Sequence, residues 1–442
     1  MTHIRTLGTG LRALMTKTGL PPHAVSVGAG LAVFGGGSYL YLASAARALD
    51  PTEFGAISGL WLLINVLGIG LFLPLEQELA RALSARKAVG QGGRPVLRRV
   101  TVLGLAGLAL LALLSLPFTG LLVDRAFAGD ATLLAPLWLG VVGYALAFVQ
   151  RGALAGTSEF GAYGRQLTWD GLVRAVGAPM LVMAGVDSPL AYAVLLGLAP
   201  WLSILCTLRA LRPSMQPGSR PLWTEVAHAL TFLVIASFGS LAVGNAAALV
   251  VTLVAGHEDP ALVGRVVSGA ALARLPAFMF VAVQAVFLPG LAHLAELGEW
   301  GRFRSSVLRL SLFASGLTAA AAVVVAIAGS WLVELIFGGG QPLTNGALVL
   351  LTIGSGLSIV AAIVGQALVV LQRYRTAAAA WAAGMLAVAL GAAVPLDSSL
   401  ARGLLAFVAG MVVATVWLLA ETVRCVRLRL READAVPAAR QA

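Results

Sequence analysis

Apolar runs of about twenty residues recur along the chain, separated by short polar stretches, and each is long enough to cross a hydrocarbon layer of roughly 30 Å. They predict spans near 25–48, 54–75, 100–122, 131–150, 171–187, 189–208, 226–254, 264–288, 307–330, 344–370, 377–395 and 401–422. The bilayer interior offers backbone groups no water, so a spanning segment must satisfy its own hydrogen bonds, and long unbroken runs do so as helices. The expectation is an all-α polytopic membrane protein with twelve transmembrane helices.

The pattern is duplicated. Asp50-Pro51 is followed by Phe54-Gly55, Ser58-Gly59 and, after one apolar run, Phe72-Leu73-Pro74. Asp259-Pro260 is followed in the same order by Val263-Gly264, Ser268-Gly269 and Phe287-Leu288-Pro289. Leu122-Val123-Asp124 with Phe127 and Gly129 matches Leu332-Val333-Glu334 with Phe337 and Gly339, so the second copy trails the first by about 210 residues. Six spans per copy is an even number. Both copies then enter the membrane in the same sense, as two parallel-repeat six-helix bundles with a site between them. The divisions are an interfacial amphipathic segment at 1–20, bundles at 21–212 and 223–424, a Pro- and Gly-rich linker at 213–222, and a basic tail at 425–442.

Composition agrees: 59% of the residues are hydrophobic and 11% charged, against about 45–50% and 25% in soluble domains. The net charge of +11 invites a nucleic-acid partner, but its distribution argues against one. Most of the 30 basic residues fall at the termini and in the loops on the same face, including Arg151 and Arg165, while Arg47, Arg125, Arg265 and Arg402 fall on the other. Basic loops stay cytoplasmic, so both termini are expected on the cytoplasmic side. Ile4, Leu7, Leu11, Leu14 and Met15 share a face that suits a helix lying on the inner surface.

Candidate functional residues are those that interrupt apolar runs. Gly35-Gly36-Gly37 in the first span and Gly244 in the seventh are candidate hinges, with close helix packing as the alternative. Asn245 stands beside Gly244 at mid-membrane, where lipid offers no hydrogen bond. Arg274, ten positions into the eighth span, costs about 2.5–3.5 kcal/mol at bilayer centre on insertion scales, so it is expected to face a lumen. Capping of backbone carbonyls near Pro276 is the competing role. Asn65 is its counterpart in the first repeat, and Gln284 is a further lumen candidate. Asp170 and Arg174 are placed at the opening of the fifth span, four residues apart; snorkelling to the interface is favoured for Arg174 over substrate contact. The acids, Glu76, Asp170, Glu225, Glu334 and Glu421, are all placed at span ends. Asp50 and Asp259 would form an outer gate.

The duplicated Asp-Pro-x-x-Phe/Val-Gly hairpin, the two Phe-Leu-Pro motifs and the six-plus-six layout resemble the multidrug/oligosaccharidyl-lipid/polysaccharide exporter superfamily, and within it the bacterial polysaccharide-biosynthesis flippases. That resemblance implies a V-shaped pair of bundles in a bacterial cytoplasmic (inner) membrane, working by alternating access, with no cofactor. It implies as partners a polyprenyl-diphosphate-linked saccharide, membrane lipids and polysaccharide assembly enzymes. Arg274 would hold the diphosphate, with Asn65, Asn245, Gln284 and Arg174 around the central cavity.

Rival readings are weighed on the same residues. A cation-coupled multidrug antiporter needs a carboxylate inside the membrane, and the acids are expected at span ends. A membrane polysaccharide polymerase or glycosyltransferase needs a large outer or catalytic loop, whereas these loops are about ten residues. A non-transporting scaffold would fill its lumen with apolar side chains. There is no Gly-rich loop ending in Lys-Ser/Thr for ATP. The five histidines lack metal-ligand spacing, and the two cysteines form no disulfide framework.

Overall fold

A computed structural model describes residues 22–220, 230–277, 290–338 and 342–439. The amphipathic segment at 1–20, Gln284 and the Phe287-Leu288-Pro289 motif lie outside the described residues. The described chain is all-helical. Helix α1 covers Pro22–Ala48 and α2 Pro51–Ala88, with a π-helical turn at Ile64–Ile69. Helix α3 covers Arg94–Ala126, α4 Leu134–Gly156, α5 Phe160–Met183 and α6 Pro189–Thr207. In the second half α7 has two segments, Leu230–Gly244 and Ala246–Ala255, and α8 covers Pro260–Ala273. Then come α9 at Trp300–Phe337, α10 at Asn345–Val370, α11 at Tyr374–Ala393 and α12 at Ser399–Ala439. Among the described residues nine helices, or ten counting the bent α7, are long and apolar enough to cross a membrane.

Local chemistry sets the starts of the repeated helices. Asp50 accepts from the backbone of Thr52 and Glu53 while Glu53 reaches back to the Asp50 N–H, a capping box with Pro51 in the first turn. Asp259 accepts from Leu262 N at the head of α8 and pairs with Arg265 at 2.7 Å. The two Asp-Pro motifs are therefore helix caps, each serving its own helix.

Helices α1–α6 pack mainly among themselves, as do α7–α12. The closest pairing in the first bundle is α1 on α5. A Cβ on Gly37 would stand 2.2 Å from Gly171 O, and one on Gly30 2.5 Å from Gly164 O. Small residues seven apart on both helices thus let the backbones touch, and dispersion rather than hydrophobic transfer holds helices together in lipid. Helix α1 runs through Gly35-Gly36-Gly37 without interruption, and Gly37 makes the helix contact.

The bundles meet through both repeated hairpins. Gly55 of α2 abuts Pro260 O, where a Cβ would be 2.0 Å away, and Gly264 of α8 faces Phe54. On this arginine-poor face two N-terminal-bundle arginines cap helix ends of the other bundle. Arg125 Nη1 donates to Leu253 O (3.3 Å) and Val254 O (3.1 Å), and Arg47 Nη2 donates to Leu335 O (2.6 Å). Toward the opposite, basic face, Gly70 of α2 packs on Phe238 of α7.

Candidate functional site

The seventh helix breaks at mid-length, its two segments meeting at 67°. Carbonyls in the last turn before a break lose their i+4 partners. Arg274, at the C-terminal end of the first described segment of α8, reaches back to supply one: Nη2 donates to Gly244 O and to Asn245 Oδ1, both at 2.7 Å. Asn245 is 8% exposed and its Nδ2 donates to Leu241 O at 2.8 Å. From the first bundle, Tyr39 OH donates to Ala271 O at 2.6 Å, one turn before the arginine. The capping role is therefore present, at the α7 bend rather than at Pro276. A guanidinium has five N–H donors. The two hydrogens of Nη2 are engaged, while no described residue accepts from Nε or Nη1. Among the described residues the acceptors that meet Arg274 are neutral, and no carboxylate pairs with it.

Space beside this group is small. A cavity of about 10 Å³ touches Gly244, Asn245, Arg274, Ser355 and Phe407, room for at most one water. The guanidinium of half-buried Arg274 faces the α7 bend and the neighbouring helices α10 and α12. Asn65 is not part of the cluster: it sits in the π-helical turn and its Nδ2 donates to Trp61 O of its own helix at 2.7 Å. Asp50 and Asp259 stand at the junction of the bundles on the arginine-poor face. There Arg47, Phe54, Arg265, Ser268 and Phe337 line a cavity of about 300 Å³.

A second polar cluster lies inside the first bundle, and it corrects three expectations. Helix α5 begins at Phe160 rather than near 171, so Asp170 and Arg174 occupy its middle. Arg174 is 1% exposed and Asp170 fully buried; snorkelling is overturned, because the side chain has no path to the interface and is held by an ion pair. Arg151, expected in a basic loop, is a buried residue of α4. Asp170 binds both arginines, Arg174 at 2.6 Å and Arg151 at 3.2 Å.

The cluster is built from four helices. Arg174 also donates to Ser38 Oγ of α1 (2.8 Å) and to Tyr144 OH of α4, and its guanidinium lies 4.8 Å from the Phe34 ring centroid. Arg151 stacks over Phe148 at 5.0 Å. Gln166 donates to Gln150 at 2.8 Å. Glu76 of α2 is also buried, contrary to its expected place at a span end, because α2 continues to Ala88. Its Oε1 accepts from Tyr163 OH at 2.7 Å and its Oε2 has no partner among the described residues. The missed signal is the turn before α5, where Ser158 adopts a φ of 67° and Glu159 takes the N-cap position without a side-chain capping bond.

Among the described residues no group of three or more His, Cys, Asp or Glu side chains has the geometry of a metal site.

Comparison with known proteins places this architecture. No family model matches the chain. Uncharacterized proteins of Mycobacterium bovis and Mycobacterium tuberculosis are 27% identical over 369 residues, covering 80% of this chain and 81% of theirs. An inward-facing multidrug resistance MATE family transporter of the MOP superfamily superposes with a TM-score of 0.66 at 14% identity, covering 89% of this chain and 96% of that one. A point mutant of the Vibrio cholerae MATE transporter VcmN gives 0.63 at 17% identity over 92% and 95%. An outward-facing MATE transporter gives 0.60 at 14% identity over 92% and 96%. The fold is that of these transporters: two six-helix bundles in a multi-pass membrane protein.

Proposed function

We propose that this protein is a non-enzymatic membrane transporter of MATE-like fold that flips an anionic, lipid-linked saccharide between leaflets by alternating access. The observation that carries this reading is a charge imbalance. The carboxylate at the centre of α5, Asp170, is bound by two arginines, whereas Arg274, beside the α7 bend, meets only neutral oxygens among the described residues. Burial makes an unneutralised guanidinium costly unless a charged partner arrives, and a diphosphate headgroup is such a partner, accepting from Nε and Nη1. The α7 bend at Gly244–Asn245 is the hinge of the second bundle. The hairpins at Asp50 and Asp259 part when the arginine-poor face opens. In this reading the basic face is cytoplasmic and the membrane is the bacterial inner membrane. Polysaccharide assembly enzymes would act before and after it.

The test is Arg274→Gln, assayed for transport by complementation and for folding by thermal melting. Glutamine keeps an N–H for Gly244 O but loses the charge. A variant that melts like the wild type and has lost transport supports the anion contact; a stable variant with full transport removes it.

A second reading, cation-coupled multidrug antiport, draws on Glu76, whose buried Oε2 has no partner among the described residues. It predicts that Glu76→Gln abolishes drug-driven proton movement, an effect the flippase reading does not require.

A further inference from the structure

The transport cycle leaves unused a groove on the basic face of the second bundle. It runs between α9 and α12 and encloses about 180 Å³. Its floor is apolar, formed by Val307, Leu308, Leu419 and Val423, and its rim carries Arg304 and Arg427. Both arginines are exposed, and neither has an ionic partner among the described residues. Their neighbours differ: Arg302 pairs with Glu299 at 2.9 Å and Arg424 with Glu421 at 3.7 Å. Beside the rim Arg429 stacks over Trp300 at 5.7 Å, and Trp300 packs edge-on against Phe303. An indole among arginines marks the depth at which headgroups meet hydrocarbon.

From that level the floor descends into the apolar layer. Arg304 to Ser311 is seven residues and Arg427 to Leu419 eight, about 10–12 Å of helix. Ser311 lines the same groove, and its buried hydroxyl makes no hydrogen bond to the described residues, so whatever fills the groove can supply an acceptor.

We propose that this groove binds an anionic diacyl phospholipid from the leaflet on the basic face. The phosphate sits between Arg304 and Arg427, and one acyl chain lies along Val307, Leu308, Leu419 and Val423. Charge complementarity selects the headgroup, because two guanidinium groups with no ionic partner among the described residues favour a net negative lipid over a zwitterionic one that brings its own cation. The apolar floor selects a lipid over a soluble phosphate.

The test uses the full chain in nanodiscs of equal phosphatidylglycerol and phosphatidylcholine, with retained lipid counted by native mass spectrometry. At about five-fold per arginine near a membrane surface, phosphatidylglycerol is expected in roughly 25-fold preference. Arg304→Gln or Arg427→Gln each lowers the preference about five-fold, and Arg302→Gln leaves it unchanged. Val423→Trp, at a half-exposed position, fills the floor and lowers retention of both lipids with the charges intact. The proposal is overturned if the two lipids are retained equally or if the rim variants change nothing. It also fails if Arg302→Gln matches their effect, which means a diffuse basic surface, or if glycerol 3-phosphate displaces the lipid, which means a phosphate site with no tail contribution.

Discussion

Asp170→Asn tests whether the buried ion cluster holds the first bundle together. The carboxylate is fully buried and neutralises two guanidinium groups, Arg174 at 2.6 Å and Arg151 at 3.2 Å. Asparagine preserves shape and one acceptor but strands two charges away from water. Breaking a buried pair by removing one partner costs about 3–5 kcal/mol, because the remaining charge is uncompensated. Residual contacts keep the loss from doubling: Arg174 retains Ser38 and the Phe34 face, and Arg151 retains the Phe148 face. At about 2–4 °C per kcal/mol for a unit the size of one bundle, melting falls by about 6–20 °C. The assay is thermal unfolding of the detergent-purified chain followed by tryptophan fluorescence. Neutralising one stranded charge as well, Asp170→Asn with Arg174→Met, should recover about half of the loss, since contacting residues are not additive. An Asp170→Asn variant melting with the wild type, or a double variant no better than the single, refutes the reasoning.

Other outcomes follow from the same contacts. Gly37→Val destabilises the first bundle by more than about 3 kcal/mol, because its Cβ would meet Gly171 backbone rather than a side chain that can move; Gly36→Ala, mid-helix with open space around it, is not destabilising and gains about 0.5–1 kcal/mol in thermal melting. Arg125→Ala removes two charge-assisted bonds to the end of α7, about 1.5–3 kcal/mol each at most. With the exposed Cys206 replaced by serine, maleimide labelling of Ala261→Cys in the inter-bundle cavity then quickens about ten-fold or more. Glu53→Ala breaks half of the Asp50 capping box and lowers stability by about 1 kcal/mol in chemical unfolding.

The all-helical class and the repeated Asp-Pro hairpins were legible in the chain because hydropathy and turn residues are local; that each Asp caps its own helix emerges only in the structure. The meeting of Arg274 with Gly244 and Asn245 was legible as a set of mid-membrane positions, though not as a hydrogen-bonded staple. Depth inside the first bundle was hidden. Arg165, Gln166, Asp170 and Arg174 depress hydropathy across the first half of α5, so its apolar run, from 171, begins well after its helix, from Phe160. Arg151 likewise reads as a loop cation, yet it is buried because α4 continues to Gly156. Paired charges look to a hydropathy window like exposed ones, and only the three-dimensional partner tells them apart. Gly35-Gly36-Gly37 carried the opposite ambiguity: the same triplet serves a bend or a close helix contact, and only the partner, Gly171 on α5, shows the contact at Gly37.

The most direct measurement is headgroup dependence in proteoliposomes containing the purified chain. Fluorescent polyprenyl-diphosphate saccharide and its neutral polyprenol counterpart are followed from one leaflet to the other. An anion-receiving Arg274 predicts movement of the diphosphate lipid and none of the neutral one, with the difference lost in Arg274→Gln. Equal movement of both lipids, or movement only of a lipophilic cation against a proton gradient, contradicts it.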